Sequence, residues 1–112
     1  MEDQEYGYIV NVKNNVYLWN NKLNSISVKF NKINGDFYCK NNELKTLEGC
    51  PKIVDGDFDC STNELVSLEY SPKIVNSVFN CSFNQLTSLK YTPEMVSGYF
   101  IGSDNQLISL DQ

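Results

Sequence analysis

A 21-residue period governs this chain. Phe37, Phe58, Phe79 and Phe100 stand 21 residues apart, and Asn42, Asn63, Asn84 and Asn105 keep the same step. So do the leucine pairs Leu44/Leu47, Leu65/Leu68, Leu86/Leu89 and Leu107/Leu110. A period that short carries one supersecondary unit, too small to bury an apolar face by itself, so its copies must stack. The chain is therefore predicted to be a solenoid in which equivalent residues of successive coils form columns. The periodicity divides it into five coils at 12–32, 33–53, 54–74, 75–95 and 96–112. The first coil is degenerate, with Val12, Val16, Leu18, Asn21, Leu23 and Ile26 in the repeat positions and Phe30 where later coils carry proline.

Each full unit reads F-x-C-x-x-N-x-L-x-x-L. Alternate residues of a strand share a face, so the phenylalanine and the cysteine are expected to point inward together. The asparagine then turns the chain, and its buried amide has to satisfy backbone groups, which stacked copies would do as a ladder. Pro51, Pro72 and Pro93 follow the second leucine, where proline favours extended backbone over helix. Gly35, Gly56 and Gly98 stand two residues before the phenylalanine and mark a tight turn, with Ser77 in the same place in the fourth coil. Ahead of the repeats, residues 1–11 alternate Tyr6, Tyr8 and Val10, a pattern that suits an edge strand capping the first coil.

This motif resembles the leucine-rich repeat, in its short bacterial and phage form, over nearly the whole chain. The resemblance implies a right-handed coil with a parallel β-sheet on the concave face and a mostly extended outer side. One departure stands out. The leucine usual three residues before the first core position is replaced by Asn34, Asp55, Asn76 and Ser97, and Ile33, Val54, Val75 and Val96, one place earlier, are expected to fill the core instead. Carried over position by position, the resemblance puts Tyr17, Trp19 and Tyr38 on the concave face, then Val78, Tyr99 and Ile101. Phe83 falls just past its strand, and Asp36, Asp57 and Asp59 lie between the two groups. Exposed aromatic residues gathered on one surface are typical interface anchors.

The function expected is accordingly a protein-protein interaction module. A stoichiometric inhibitor, such as a phage anti-defence protein, is its most specific form. The alternative is an assembly protein that self-associates through its coil ends, forming a homodimer through the last coil with Phe100, Leu107 and Leu110 at the contact.

Other chemistries find little to work with. The chain has no histidine and no recognisable arrangement around a nucleophile, so it is not expected to be an enzyme or to use a cofactor. Cys39, Cys60 and Cys81 form one column, with Gly102 in the last coil. Thiols stacked at about 5 Å could hold a soft metal, but without histidine or a CxxC pair they read as small interior hydrophobes. Cys50 shares a loop column with Ser71 and Thr92 and is expected to be accessible. The run Asp55-Gly56-Asp57-Phe58-Asp59 could attract calcium, yet Cys60 and Val66 stand where an EF-hand needs glycine and glutamate, so it reads as a solvated acidic face.

All nine basic residues are lysines and the net charge is −5, which disfavours direct binding to nucleic acid and favours a basic protein partner. The acidic start MEDQE and the lack of a long apolar run lead to the expectation of a cytoplasmic protein that does not engage a membrane.

Overall fold

The computed structural model describes residues 2–3 and 7–108. It is a β-solenoid of about four turns with parallel sheets and, among the described residues, no helix. After β1 (Glu2–Asp3) and β2 (Gly7–Val12), each coil carries two short strands on adjacent sides. The first side holds β4 (Lys29–Ile33), β6 (Ile53–Val54), β8 (Ile74–Val75) and β10 (Met95–Val96). The second holds β3 (Val16–Tyr17), β5 (Phe37–Tyr38), β7 (Phe58–Asp59), β9 (Phe79–Asn80) and β11 (Phe100–Ile101). The first sheet runs β1-β2-β4-β6-β8-β10, and only its β1–β2 pair is antiparallel; the second runs β11-β9-β7-β5-β3. Tyr6, expected in the capping strand, lies outside the described residues.

Register follows the repeat. Phe37 pairs with Phe58, and Phe58 with Phe79, each one period on. The rings stack in the interior at centroid separations of 5.7, 5.5 and 5.3 Å from Phe37 to Phe100. Offset stacking of this kind adds to the burial term at each step. Cys39, Cys60 and Cys81 are fully buried beside them, as are Ile33, Val54 and Val75 from the first sheet. Leu44, Leu47, Leu65, Leu68 and Leu86 close the third side. In the first coil Val16 stands in the phenylalanine column, and Phe30 presents its ring edge-on to Phe37 at 5.1 Å.

The asparagine ladder forms as the motif requires. Asn63 Oδ1 accepts the Leu44 N–H at 3.0 Å, and its amide donates to the carbonyls of Cys39 at 3.0 Å and Cys60 at 3.1 Å. Asn42, Asn84 and Asn105 repeat the scheme, while Asn21 is exposed and the ladder begins at Asn42.

Two columns differ from expectation. Cys50, expected to be accessible, is 7% exposed: its apolar thiol belongs to the core cluster and contacts Cys39, in a turn closed by its N–H donating to the Leu47 carbonyl at 2.9 Å. Burial, with a contact to Cys39, pushes that thiol well above its ordinary pKa, and burial does the same to Cys60. The acidic residues, in turn, are part of the scaffold. Asp36 Oδ1 accepts the Asp57 N–H at 2.7 Å, one coil on, and Asp57 Oδ1 accepts the Val78 N–H at 3.0 Å. Asn15 begins the same column by accepting the Asp36 N–H at 2.7 Å. A Cβ on Gly56 would sit 2.0 Å from Asp36 Oδ1, so glycine there makes room for the preceding coil's side chain. Ser77 occupies the equivalent place in the fourth coil, where the ladder bond is the longer one.

Candidate functional site

The outer face of the second sheet is a grid of three columns. The residue before each phenylalanine position gives Asn15, Asp36, Asp57, Val78 and Tyr99; the residue after it gives Tyr17, Tyr38, Asp59, Asn80 and Ile101. Two residues further on stand Trp19, Lys40, Ser61, Ser82 and Ser103. Parallel pairing with no shift in register makes each column a row of neighbours about 5 Å apart.

At the end nearest the N-terminus the three predicted aromatics meet. Ring centroids lie 5.1 Å apart for Tyr17–Trp19, 5.6 Å for Tyr17–Tyr38 and 5.5 Å for Trp19–Tyr38, and the two tyrosines are parallel to within 4°. Tyr17 is 51% and Trp19 39% exposed, so the cluster is a surface platform. Lys40 completes it, with Nζ 5.0 Å from the Trp19 centroid and 5.9 Å from that of Tyr38. Sequence reasoning missed Lys40, although its place in the Trp19 column was readable from the period.

The middle of the face is polar. The Tyr38 hydroxyl points at two carboxylates, donating to Asp36 Oδ2 at 3.3 Å and Asp57 Oδ2 at 3.4 Å. Burial and then the two negative charges raise its pKa to about 12, so it remains a donor. For Asp57, burial acts to raise the pKa, but hydrogen bonds from Val78, Ser77 and Tyr38 outweigh it and hold the carboxyl below its ordinary value. Asp59 accepts from the Ser61 N–H at 2.9 Å and from its hydroxyl, and Asn80 binds Ser82 in the same way.

The far end is apolar. Val78 and Tyr99 are neighbours, with the Phe79 N–H donating to the Tyr99 carbonyl at 2.9 Å, and Ile101 follows beside Asn80. Tyr99 is 76% exposed. Phe83 is also exposed and adopts a φ of 56°, the left-handed region that Asn20, Asn41, Thr62 and Asp104 occupy in the same column. A bulky side chain there is costly and draws attention to what it does. Apart from Phe83, which lies in the turn beyond β9, the predicted apolar residues thus share one sheet face but form two groups, parted by Asp59 and Asn80. Of the predicted self-association residues, Phe100 is 41% exposed and Leu107 partly buried; Leu110 lies outside the described residues.

A groove of about 750 Å³, not foreseen from the sequence, follows the turns that lead into the first sheet. Gly49, Tyr70 and Tyr91 form one column along it, with φ values of 96°, 73° and 72°. Both tyrosines are exposed in a conformation suited to glycine, which the backbone shows and the sequence does not. Among the described residues no helix is long and apolar enough to cross a membrane.

Compared with protein-family models, curated proteins and solved structures, the chain matches none.

Proposed function

We propose that this protein is a binding module that holds a protein partner on the outer face of its second sheet. The contact of Tyr17, Trp19 and Tyr38 on an exposed surface carries this reading. Strands favour aromatic residues in general, but three large rings in mutual contact, beside fixed carboxylates, have the composition of an interface hot spot. Tyr99, Ile101, Val78 and Phe83 offer a second contact three coils away, so the partner would lie along the solenoid axis. In this reading the coil is right-handed, the face is the concave one of a leucine-rich-repeat solenoid, and the partner is basic. Stoichiometric inhibition, as by a phage anti-defence protein, is the specific form in which occupying the partner is itself the effect.

The test is capture from native host lysate by wild type and by a Trp19→Ala/Tyr38→Ala variant confirmed as folded, followed by reconstitution of the complex from purified components. A one-to-one complex formed by wild type and lost by the variant supports the reading. Equal capture by both sinks it.

A second reading, self-association through the last coil, is favoured by Phe100, which is 41% exposed while its stacked counterparts Phe37, Phe58 and Phe79 are fully buried. Sedimentation of wild type and Phe100→Asp separates the two. A dimer that becomes monomeric on substitution supports assembly, whereas a wild-type monomer at high concentration removes it.

A further inference from the structure

The partner-binding reading can be taken one step further, to the chemical group that the aromatic platform receives. The rings already hold a cation. Lys40 Nζ lies over Trp19 at 5.0 Å and near Tyr38 at 5.9 Å, where the negative faces of the aromatic systems attract positive charge. Lys40 reaches the platform from its own coil, so an incoming cation would replace it and create no new kind of contact.

Beside the platform stand two carboxylates fixed by the fold. Asp36 and Asp57 are each anchored through Oδ1 to the backbone of the next coil, and both turn Oδ2 toward the single Tyr38 hydroxyl at 3.3 and 3.4 Å. One proton between two carboxylates leaves acceptor capacity on both. Neither of the ion pairs Lys45–Glu64 and Lys73–Glu94 involves them.

A guanidinium matches this arrangement better than an ammonium does. It is planar, stacks flat on an aromatic ring, and directs its N–H groups in the ring plane toward neighbouring carboxylates. The chain contains no arginine of its own, and a net charge of −5 draws a basic group toward the face. We propose that the Tyr17–Trp19–Tyr38 platform receives an arginine side chain of the protein partner, whose guanidinium displaces the Lys40 ammonium from the rings and donates to Asp36 and Asp57.

This inference rests on the partner-binding reading, and it can fail alone. Trp19 is the only tryptophan in the chain, so its emission reports the platform directly. The full-length protein is titrated at low salt with acetyl-Gly-Arg-Gly-Arg-Gly-amide and with the matching lysine and citrulline peptides. Saturable change is expected with the arginine peptide, weaker binding with lysine and none with citrulline. Lys40→Gln, which removes the competing cation, is expected to tighten arginine binding about threefold. Asp36→Asn/Asp57→Asn is expected to weaken it about tenfold. Asparagine keeps the Oδ1 acceptor that the ladder needs, as Asn15 shows in the same column, and circular dichroism confirms the fold. Equal responses to all three peptides, a lysine peptide that binds as well as arginine, or a Lys40→Gln variant that binds more weakly would each overturn the proposal. No response to any peptide, while Trp19→Ala/Tyr38→Ala still loses the partner, would overturn the arginine assignment and leave the partner-binding reading standing.

Discussion

Replacing Asn63 by alanine is the sharpest test of how the solenoid holds together. The Asn63 side chain is buried and bonded across two coils: it accepts from Leu44 N–H at 3.0 Å and donates to the carbonyls of Cys39 at 3.0 Å and Cys60 at 3.1 Å. Alanine removes these bonds, and a fourth to the Ser61 carbonyl at 3.3 Å, without giving water access to the groups left behind. Each buried backbone group left unpaired costs about 1–3 kcal/mol. The Cys39 and Cys60 carbonyls keep their bonds from Asn42 and Asn84, so Leu44 N–H is the group stranded and the loss is about 1–3 kcal/mol. A small domain is stable by about 5–15 kcal/mol, so Asn63→Ala is expected to fold with a reduced margin. Asn105 provides the control, since it makes the equivalent bonds to Leu86, Cys81 and Gly102 in a partly exposed setting. Water can substitute there, and the expected cost is about 1 kcal/mol. Urea unfolding followed by circular dichroism measures both variants against wild type. Equal losses at the two sites, or a loss below about 1 kcal/mol at Asn63, would refute the claim that the ladder is a burial-dependent device.

Phe58→Ala, deep in the ring stack between Phe37 and Phe79, is expected to cost about 3–5 kcal/mol in the same assay, and Phe100→Ala, at the exposed end of the stack, about 1 kcal/mol. Phe83→Asn relieves a left-handed phenylalanine and is expected to stabilise the fold by about 1 kcal/mol while weakening partner capture; a destabilised variant would show that the Phe83 ring packs for stability. Burial raises the Cys81 thiol to about 12 from an ordinary value of 9.0. Between those limits the unfolded chain has released that proton and the folded chain has kept it. Rising pH therefore favours unfolding, by about 1.4 kcal/mol per pH unit for one such thiol. Tyr38, raised from 10.0 to about 12, adds in the same direction above pH 10. Urea midpoints measured from pH 8 to 11 that stay flat would refute the assignment. Native Cys39, Cys50 and Cys60, all buried, are expected to resist a thiol reagent that modifies all four cysteines in denaturant; fast native labelling of Cys50 would place it back at the surface.

The period made the interior of this chain legible. Once Phe37, Phe58 and Phe79 are aligned, alternation places Cys39, Cys60 and Cys81 beside them, and the asparagine column has to serve the backbone that it turns. The columns that misled are those whose fate depends on turn geometry. Cys50 stands in register with Ser71 and Thr92 and so looks like a surface position, yet its thiol packs against Cys39 in the core while Ser71, in the equivalent turn, stays partly exposed. Tyr70 and Tyr91 share a column with Gly49, but that the column needs a positive φ is a fact of the backbone and not of composition. The first sheet was equally hidden: the period marks Ile33, Val54 and Val75 as core positions but does not show that Ile53 and Val54 pair with Ile74 and Val75 as strands.

The acidic residues explain why the candidate site was only half readable. As a sequence, Asp36 and Asp57 are unpaired charges on a strand face, which invites either a metal or plain solvation. In the fold each has two jobs on two oxygens: Oδ1 holds the next coil in register, and Oδ2 stays on the outer face near Tyr38. Scaffold and binding chemistry therefore meet in the same side chains. An alanine scan across this face would confuse the two, since Asp57→Ala removes the acceptor for the Val78 N–H along with the charge. Aspartate-to-asparagine exchange separates them: it keeps the acceptor and removes the charge. Partner binding that survives Asp57→Ala only as far as the fold does, and is unchanged by Asp57→Asn, would assign the residue wholly to the scaffold. Loss of binding by a stable Asp57→Asn variant would assign its charge to recognition.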